Sequence, residues 1–410
     1  MHLTTLKNKL RVLTLPSTNT AAVTVMVMVG AGSRYETKAI NGISHFLEHL
    51  FFKGGEKYPN SKAVAEAVDN VGGQFNAFTG KEYAGYYVKV AKEHAKTACD
   101  VLSDMLLKTS FSTEDIDKER GVILEEYNMY QDTPMYKIGW QFEEQLFGDQ
   151  PIGWDQIGTP ELIKSVTQEQ FREYKNQLYT PDNIVIGFAG NITEQEALEF
   201  VDQYFYMPET TKAYDFKKYQ VPKQREQKVH TSKKTEQTHL VIGTPAFQIG
   251  HEDEWALKLL GNILGGSMSS RMFLNIREAH GLTYYIHTSV DCYTDAGIIS
   301  TSAGVDNQRV DQAIEAIITE YEKIATSNQI TEDELQKTKN SLQGRMTLNL
   351  EDSQSYIHML TRQQLLLGKH YHLDDIKEKI NSVTLEQINQ VAKNLFHRDN
   401  LHISLIGPNK

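Results

Sequence analysis

Cysteine is scarce in this chain of 410 residues, and the charge pattern typical of nucleic-acid-binding proteins is missing. Only Cys99 and Cys292 are present, so neither a disulfide framework nor a cysteine-rich metal site is expected, and a reducing compartment is favoured. Lysine and arginine number 42 against 53 aspartates and glutamates, which gives a formal net charge of −11. No segment of the sequence forms a basic stripe of lysines and arginines. We therefore expect no nucleic-acid partner.

Long apolar runs are also missing. The run Ala21–Gly32 follows Lys7, Lys9 and Arg11 and could pass for the core of a signal peptide, but its 12 residues are too few to cross a bilayer. Its central part, Val23–Val29, is more typical of a buried strand. With no membrane anchor and no mitochondrial-type targeting segment visible, the sequence predicts a cytoplasmic protein of bacterial type.

Two segments of the chain repeat each other. Ser165–Gly190 and Ser382–Gly407 align without a gap at an offset of 217 residues, and ten of 26 positions are identical. Each copy has a threonine helix cap, a helix, an Asp-Asn turn and an apolar strand. A second pair of helix starts, at Thr113 and Thr331, lies at an offset of 218. The two halves are therefore interpreted as copies of one unit.

The length fits two domains, and the repeat indicates where they lie. We predict an N-terminal domain at 1–208, a charged linker at 209–234 and a homologous domain at 235–410. Strands and helices do not alternate strictly, so the predicted class is α+β, each domain a mixed β-sheet with helices packed mainly on one face. The predicted strands are 22–29, 83–90, 184–189, 239–243, 298–303 and 402–406, and the predicted helices of the first copy are 63–71, 92–108, 113–130 and 167–177.

The segment His45-Phe46-Leu47-Glu48-His49 has the spacing of a metal site on a helix. His45 and His49 are four residues apart, which places both imidazoles on one face, with Glu48 beside them. Zinc needs about three protein ligands and one open position for water, and a neighbouring carboxylate can take a proton from that water. The alternative is that both histidines are ordinary helix residues beside an apolar core.

A third ligand is expected on the helix 113–130. Glu119 and Glu126 are seven residues apart and share a face with Ile116 and Ile123, whereas Glu125 points about 100° away. Carboxylates that face inward need a partner, which a metal and its surroundings can supply. The alternative is a pair of solvated glutamates.

The second half provides an internal comparison. At an offset of 218, Lys337 lies opposite Glu119 and Gly344 lies opposite Glu126, and no His-x-x-Glu-His segment is present there. One copy thus has both the histidine motif and the carboxylates, and the other has neither. This correlation favours one metal site in the chain, in the first copy.

Four segments together resemble the pitrilysin family of zinc peptidases with an inverted motif, closest to the branch of bacterial processing-type peptidases and mitochondrial processing peptidase subunits. They are HFLEHLFFKG (45–54), GGQFNAFTGKEYAGYY (72–87), ERGVILEEY (119–127) and GGSMSSRMFLNIREAHGLTYY (265–285). The resemblance extends over nearly the whole chain. It implies one Zn²⁺ per chain, held by His45, His49 and Glu126, with Glu48 as general base and Glu119 as a supporting acid.

The resemblance also implies residues that hold the substrate. A peptide would add as a strand to a sheet edge at Asn76, Ala77 and Phe78, although the segment alone indicates only a turn that enters an aromatic strand. Arg277 and Tyr284, seven residues apart, match a pair in the half without zinc that holds the substrate and polarises the scissile carbonyl. Without the resemblance they would be a helix-end arginine and a strand tyrosine.

The expected function is a zinc metalloendopeptidase that hydrolyses unstructured peptides inside a closed chamber. Longer relatives join two facing pairs of such domains, so this two-domain chain is expected to form a homodimer in which Arg277 and Tyr284 reach the partner's zinc; a heterodimer stays open. One alternative is a non-catalytic partner subunit of a processing-peptidase-like complex. Another is a peptide-binding or structural protein whose zinc only stabilises the fold. The sequence does not separate processing from degradation and gives no cleavage preference.

Overall fold

The computed structural model describes residues 1–327 and 330–409, which form two compact units, each with its own β-sheet. The first unit contains Met1–Asn128, Asp155–Lys217 and Leu348–His372. The second contains Met129–Trp154, Lys218–Thr347 and Leu373–Lys410. Each unit thus takes a segment from the other half of the chain.

The elements are numbered along the chain. The strands are β1 (His2–Thr5), β2 (Arg11–Pro16), β3 (Ala22–Val29), β4 (Gln74–Thr79), β5 (Ala84–Ala91), β6 (Ile184–Gly190), β7 (Lys228–Ser232), β8 (Gln237–Ala246), β9 (Thr283–Cys292), β10 (Gly297–Asp306) and β11 (His402–Gly407). The helices are α1 (Ile43–Phe51), α2 (Ser61–Asp69), α3 (Ala95–Lys108), α4 (Thr113–Asp132), α5 (Pro134–Phe147), α6 (Pro160–Ser165), α7 (Gln168–Leu178), α8 (Glu194–Tyr204), α9 (Glu254–Gly265), α10 (Val310–Ser327), α11 (Glu332–Asn349), α12 (Ser353–Leu367), α13 (Leu373–Ser382) and α14 (Leu385–Leu395).

The sheet of the first unit has the order β1-β2-β6-β3-β5-β4, in which β2 and β6 are parallel and the other pairs are antiparallel. Strand β6 is buried along its whole length because helices cover both faces of the sheet. On one face, α12 packs against Met26, Met28 and Val185. It approaches closely at Gly187, where an added Cβ would lie 2.5 Å from side-chain atoms of Ile357 and Thr361.

The sheet of the second unit has the order β7-β11-β8-β10-β9, with β7 and β11 parallel. One face is covered by α5, whose Ile138, Phe142 and Leu146 pack with Val241 and Ile406. Helices α5 and α12 occupy corresponding places in the two copies, since their first residues differ by 219. Each packs on the sheet of the other copy, so the copies exchange one helix.

Two mixed sheets packed with helices confirm the predicted fold class. The threonine caps of the repeat are also present, because Thr167 and Thr384 each form a capping box with the glutamine three residues later. The boundaries at 208 and 235 describe the copies along the chain and stay a prediction; the compact units differ from them by the exchanged segments. Part of the expected linker forms strand β7. Most side chains of β7 are exposed, so its sequence lacks the alternation of apolar and polar residues that would predict a strand.

The predicted alignment of the two long helices was wrong by one residue. Ser112, and not Thr113, caps α4 by accepting the amide of Asp115, as Thr331 caps α11 by accepting the amide of Glu334. Aligning the two cap residues, Ser112 and Thr331, gives an offset of 219 between the helices. The positions opposite Glu119 and Glu126 are Thr338 and Arg345, not Lys337 and Gly344.

Within 1–327 and 330–409, no helix combines the length and the apolar character that a bilayer crossing requires.

Gly187→Val should destabilise the protein by about 1–3 kcal/mol, because the new side chain enters the space that α12 fills. Urea denaturation measures the loss. Gly139→Ala on α5 is the matched control: a Cβ there meets open space, so a gain of about 0.5–1 kcal/mol is expected. Equal stability of Gly187→Val and the wild type would contradict the close approach of α12 to the sheet.

Candidate metal centre

A buried carboxylate fixes the start of helix α1, which carries both histidines. Glu36 accepts the backbone amides of Gly42 and Ser44, each at 2.8 Å, and the side-chain amide of Asn41 at 2.9 Å. Gly42 precedes the helix with a φ of 95°, a left-handed conformation that favours glycine. Burial raises the pKa of Glu36, although these hydrogen bonds act in the opposite direction. The carboxylate thus satisfies amides that the helix itself leaves unpaired.

Three ligand atoms converge between α1 and α4. The Nε2 atom of His45 lies 3.6 Å from one carboxylate oxygen of Glu126, and the Nε2 atom of His49 lies 3.4 Å from the other. One ligand atom from each residue falls within 4.8 Å of the others. Around a tetrahedral zinc with bonds of about 2.0–2.2 Å, neighbouring ligand atoms are roughly 3.3–3.6 Å apart. The two imidazole–carboxylate distances fall in this range, and two imidazoles with one carboxylate are a donor set that zinc accepts.

Glu119 orients the second histidine. Its Oε1 atom accepts a hydrogen bond from Nδ1 of His49 at 2.9 Å, and its Oε2 atom pairs with the ammonium group of Lys53. The Glu119 side chain is only 6% exposed, so its position is fixed by these partners. With the proton on Nδ1, the Nε2 atom of His49 is left as a metal ligand. The Nδ1 atom of His45 is buried and has no hydrogen-bond partner among the described residues.

The charges of the cluster depend on one another. Burial lowers the pKa of His49, but hydrogen bonds with Glu119 and Glu126 outweigh it and raise that pKa to about 9. The pKa of Glu126 is lowered, first by His45 and then by His49. Burial acts to raise the pKa of Glu119, but His49 and Lys53 lower it overall. Both carboxylates are therefore ionised, as metal binding requires.

Glu48 points towards the end of strand β4. Its Oε2 atom accepts a hydrogen bond from the hydroxyl of Thr79 at 2.5 Å. Glu48 is half-buried and lies on the same helix as His45 and His49. A carboxylate held in this way by one oxygen keeps its other oxygen for a proton.

The three expected substrate-edge residues lie on β4, which is the outermost strand of the described sheet. Asn76 and Ala77 pair with β5, so the other side of β4 is a sheet edge to which a peptide could add. Asn76 is exposed, whereas Phe78 is half-buried against Tyr83 and His358. Successive side chains point to opposite faces of the strand, so Phe78 and Thr79 face different ways.

Arg277 and Tyr284 lie together in the second unit. A π-helical segment, Phe273–Glu278, carries Arg277, whose Nε atom donates to the backbone carbonyl of Tyr284 at 3.0 Å. The Arg277 guanidinium also stacks on Phe273 at 4.5 Å. Tyr284 lies on β9 and is 76% exposed, so most of its side chain faces solvent.

Sequence reasoning missed Glu36, Lys53 and Thr79. Lys53 lies four residues after His49, a spacing that could have marked it as a neighbour of the same helix face. Thr79 becomes a neighbour of Glu48 only when β4 has been placed beside α1. Glu36 precedes α1 by a loop, and no periodic pattern predicts that its side chain turns back to the helix start.

Comparisons with known proteins match the whole chain. Residues 11–153 match the family described as Insulinase (Peptidase family M16), and residues 165–342 match the Peptidase M16 inactive domain. An uncharacterized zinc protease of Bacillus subtilis (strain 168), YmxG, is 38% identical over 407 residues, covering 98% of this chain and 97% of the relative. An uncharacterized zinc protease of Mycobacterium leprae is 34% identical, with 99% and 91% covered.

Solved structures show the same fold. A protease from Helicobacter pylori superposes with a TM-score of 0.90 at 22% identity, covering 99% of both chains. A Pseudomonas fluorescens protein described as a peptidase M16 inactive domain gives 0.91 at 18% identity, covering 100% of this chain and 98% of the other. The two family matches cover more than half of the chain, and the relatives match it almost end to end. The chain therefore belongs to peptidase family M16, the pitrilysin family.

Proposed function

We propose that the protein is a zinc metalloendopeptidase that holds one Zn²⁺ per chain at His45, His49 and Glu126 and hydrolyses unstructured peptides. The observation that carries the proposal is the convergence of these three ligand atoms, with Glu119 orienting His49. The names of the related zinc proteases and the family membership support it. The scarcity of cysteine, with only Cys99 and Cys292 in the sequence, supports a cytoplasmic location as part of the same proposal.

The residues around the site have separate tasks in this proposal. Zinc held by two imidazoles and one carboxylate would lower the pKa of a water molecule bound to it. Glu48 takes the proton of the attacking water on the oxygen that Thr79 does not occupy, and later delivers it to the leaving amine. Glu119 and Lys53 hold the ring of His49 in one orientation throughout.

The substrate adds as a strand to β4 at Asn76, Ala77 and Phe78. Backbone hydrogen bonds at a sheet edge give affinity with little dependence on sequence, which suits a peptidase of extended chains. The edge position of β4 and the contact between Thr79 and Glu48 at its end support this placement. A folded domain offers no free strand of this kind and would be a poor substrate.

The proposal includes a homodimer that encloses a chamber, in which Arg277 and Tyr284 of one subunit act at the zinc of the other. Their contact with each other and the exposure of Tyr284 support a role in holding the substrate and stabilising the oxyanion. The second candidate is a non-catalytic partner subunit, favoured by the inactive-domain description of the match at 165–342. That match does not include His45, His49 or Glu126, so it describes the half of the chain that lacks them.

Cleavage of a quenched fluorescent, unstructured peptide should require both metal and base. We expect turnover to stop with a zinc chelator and to fall about 10²- to 10⁴-fold in Glu48→Gln, because that variant cannot accept the proton. Glu125→Gln, at an exposed position on α4, is the control and should keep wild-type activity. Zinc bound at one ion per chain without any turnover would instead favour the partner-subunit candidate.

Glu119→Gln should weaken zinc binding about 10- to 100-fold, because the amide no longer supplies the charge that orients His49 and offsets Lys53. Competition with a calibrated zinc chelator measures the affinity without reference to activity. The same Glu125→Gln control should bind zinc as the wild type does. Unchanged affinity in Glu119→Gln would show that His49 needs no carboxylate partner.

Mixing two inactive variants tests whether the site is shared between subunits. Glu48→Gln and Tyr284→Phe chains, each inactive alone, should regain about a quarter of the wild-type activity after subunit exchange, since half of the dimers then contain one complete site. As a control, each variant is taken through the same subunit-exchange procedure alone and should stay inactive. If the mixture is no more active than its parents, Tyr284 does not act across a subunit boundary.

A further inference from the structure

Helix α9 of the second unit corresponds to α1 of the first. The offset of 217 that relates the repeated segments places Asn262 opposite His45 and Gly266 opposite His49. These residues keep the spacing of four that puts two positions on one helix face. The second unit thus has a polar amide and a glycine where the first has its two imidazoles.

Contacts with the sheet support this correspondence. Gly265 takes the position of Glu48, and a Cβ there would lie 2.3 Å from the hydroxyl oxygen of Thr288. In the first unit Glu48 likewise meets the hydroxyl of Thr79. Thr79 pairs with Ala84, and Thr288 pairs with Thr301, which is 217 residues after Ala84. The two helices therefore lie in the same register on their sheets.

Arg345 on α11 occupies the position of Glu126 on α4, as the helix caps establish. Its Nη1 atom donates to the backbone carbonyl of Gly266 at 2.7 Å, and its Nη2 atom donates to Oδ1 of Asn262. The three positions that converge in the first unit therefore also touch in the second. There, a guanidinium group joins the two helices directly.

The glycine at 266 makes this contact possible. Its backbone φ is −83°, which any residue can adopt, so conformational freedom is not the reason for a glycine here. A Cβ at 266 would lie 2.0 Å from Oδ1 of Asn262. Only the missing side chain leaves room for the amide oxygen that Arg345 binds.

We propose that Arg345 fastens α9 to α11 in the second unit, at the three positions where a metal would fasten α1 to α4 in the first, and thereby positions the segment Gly266–Arg277. A second contact holds the same segment. Arg271 makes two hydrogen bonds with the carboxylate of Glu334, at 2.8 and 2.7 Å. Glu334 and Arg345 are eleven residues apart on α11 and therefore share a helix face.

The chemistry of arginine suits this task. A guanidinium stays charged at all relevant pH values and offers several donors in a rigid plane, so it can bind two acceptors at once without losing a proton. The link between α9 and α11 therefore needs no ion and is insensitive to chelators. For the role of Arg277, the inference rests on the proposed function, in which this segment presents Arg277 and Tyr284 to the substrate.

Hydrogen–deuterium exchange of the full-length, zinc-loaded protein tests the link. Arg345→Met keeps a long side chain but removes the donors, and it should speed exchange of the amides from Ser267 to Arg277 about tenfold or more while α1 is unchanged. Arg345→Lys keeps the positive charge but donates hydrogen bonds from a single nitrogen. It should therefore give an exchange rate between those of the wild type and Arg345→Met. A chelator added to the wild type should affect α1 and α4 and leave this segment unchanged.

Lys337→Ala is the matched control, because it removes from the same helix a cation that pairs with Asp333, one turn away on α11. It should leave the segment at wild-type rates. Equal rates in Arg345→Met and the wild type, or an equal effect of Lys337→Ala, would overturn the proposal. If Arg345→Met does not fold, the exchange rates of Arg345→Lys and Asn262→Ala are compared with those of the wild type and Lys337→Ala in the same way.

Peptide kinetics separate this inference from the proposed function. Arg345→Met should raise KM for the quenched peptide while the zinc content stays at that of the wild type, because the ligands in the first unit are untouched. Absence of turnover in the wild type would end the proposed function, yet the exchange measurement would still decide whether Arg345 holds the segment. Faster exchange without a change in KM would limit Arg345 to stability and would refute its positioning role.

Discussion

The candidate site depends on the distance between helices α1 and α4. Two ligands come from one helix and the third from the other, so an error of 1 Å in helix placement would separate the ligand atoms. Both helices are anchored away from the site. Glu36 holds the start of α1, and Arg120 ties the middle of α4 to the backbone carbonyls of Ile163 and Val166. These anchors are hydrogen bonds of a carboxyl group and of a guanidinium group, which fix direction as well as distance.

Electrostatics adds a second constraint on the same pair of helices. Glu119 and Glu126 bring two negative charges to a partly buried place, which is unfavourable unless cations face them. Lys53 and the imidazole of His49, whose pKa is raised by these carboxylates, offset those charges. A divalent cation bound there would also offset the two carboxylates. Charge balance therefore requires cations between these two helices.

The sequence could group these residues because its signals are local. His45, Glu48 and His49 lie within one turn, and Glu119 and Glu126 lie on one face of one helix, so periodicity alone brings each group together. The strands and helices for which the sequence analysis gave ranges agree with the structure to within a few residues. The exchange of α5 and α12 could not be predicted, since either sheet would accept an apolar helix face. Strand β7 was missed because exposed edge strands lack apolar alternation. The one-residue error in the position opposite Glu126 arose because Thr113 was aligned with Thr331, whereas the cap that corresponds to Thr331 is Ser112.

The duplication also explains why the second unit is not a damaged copy of the first. Gly265 stands where Glu48 would be, and a Cβ there would lie 2.4 Å from the backbone nitrogen of Thr288. A carboxylate therefore cannot return to that position unless β9 moves away from α9. At the positions that correspond to His45 and Glu126, Asn262 and Arg345 are hydrogen-bonded to each other. Because every one of these positions has new packing or hydrogen-bonding partners, no single substitution would restore a metal site, and the second unit is built for a different task from the first.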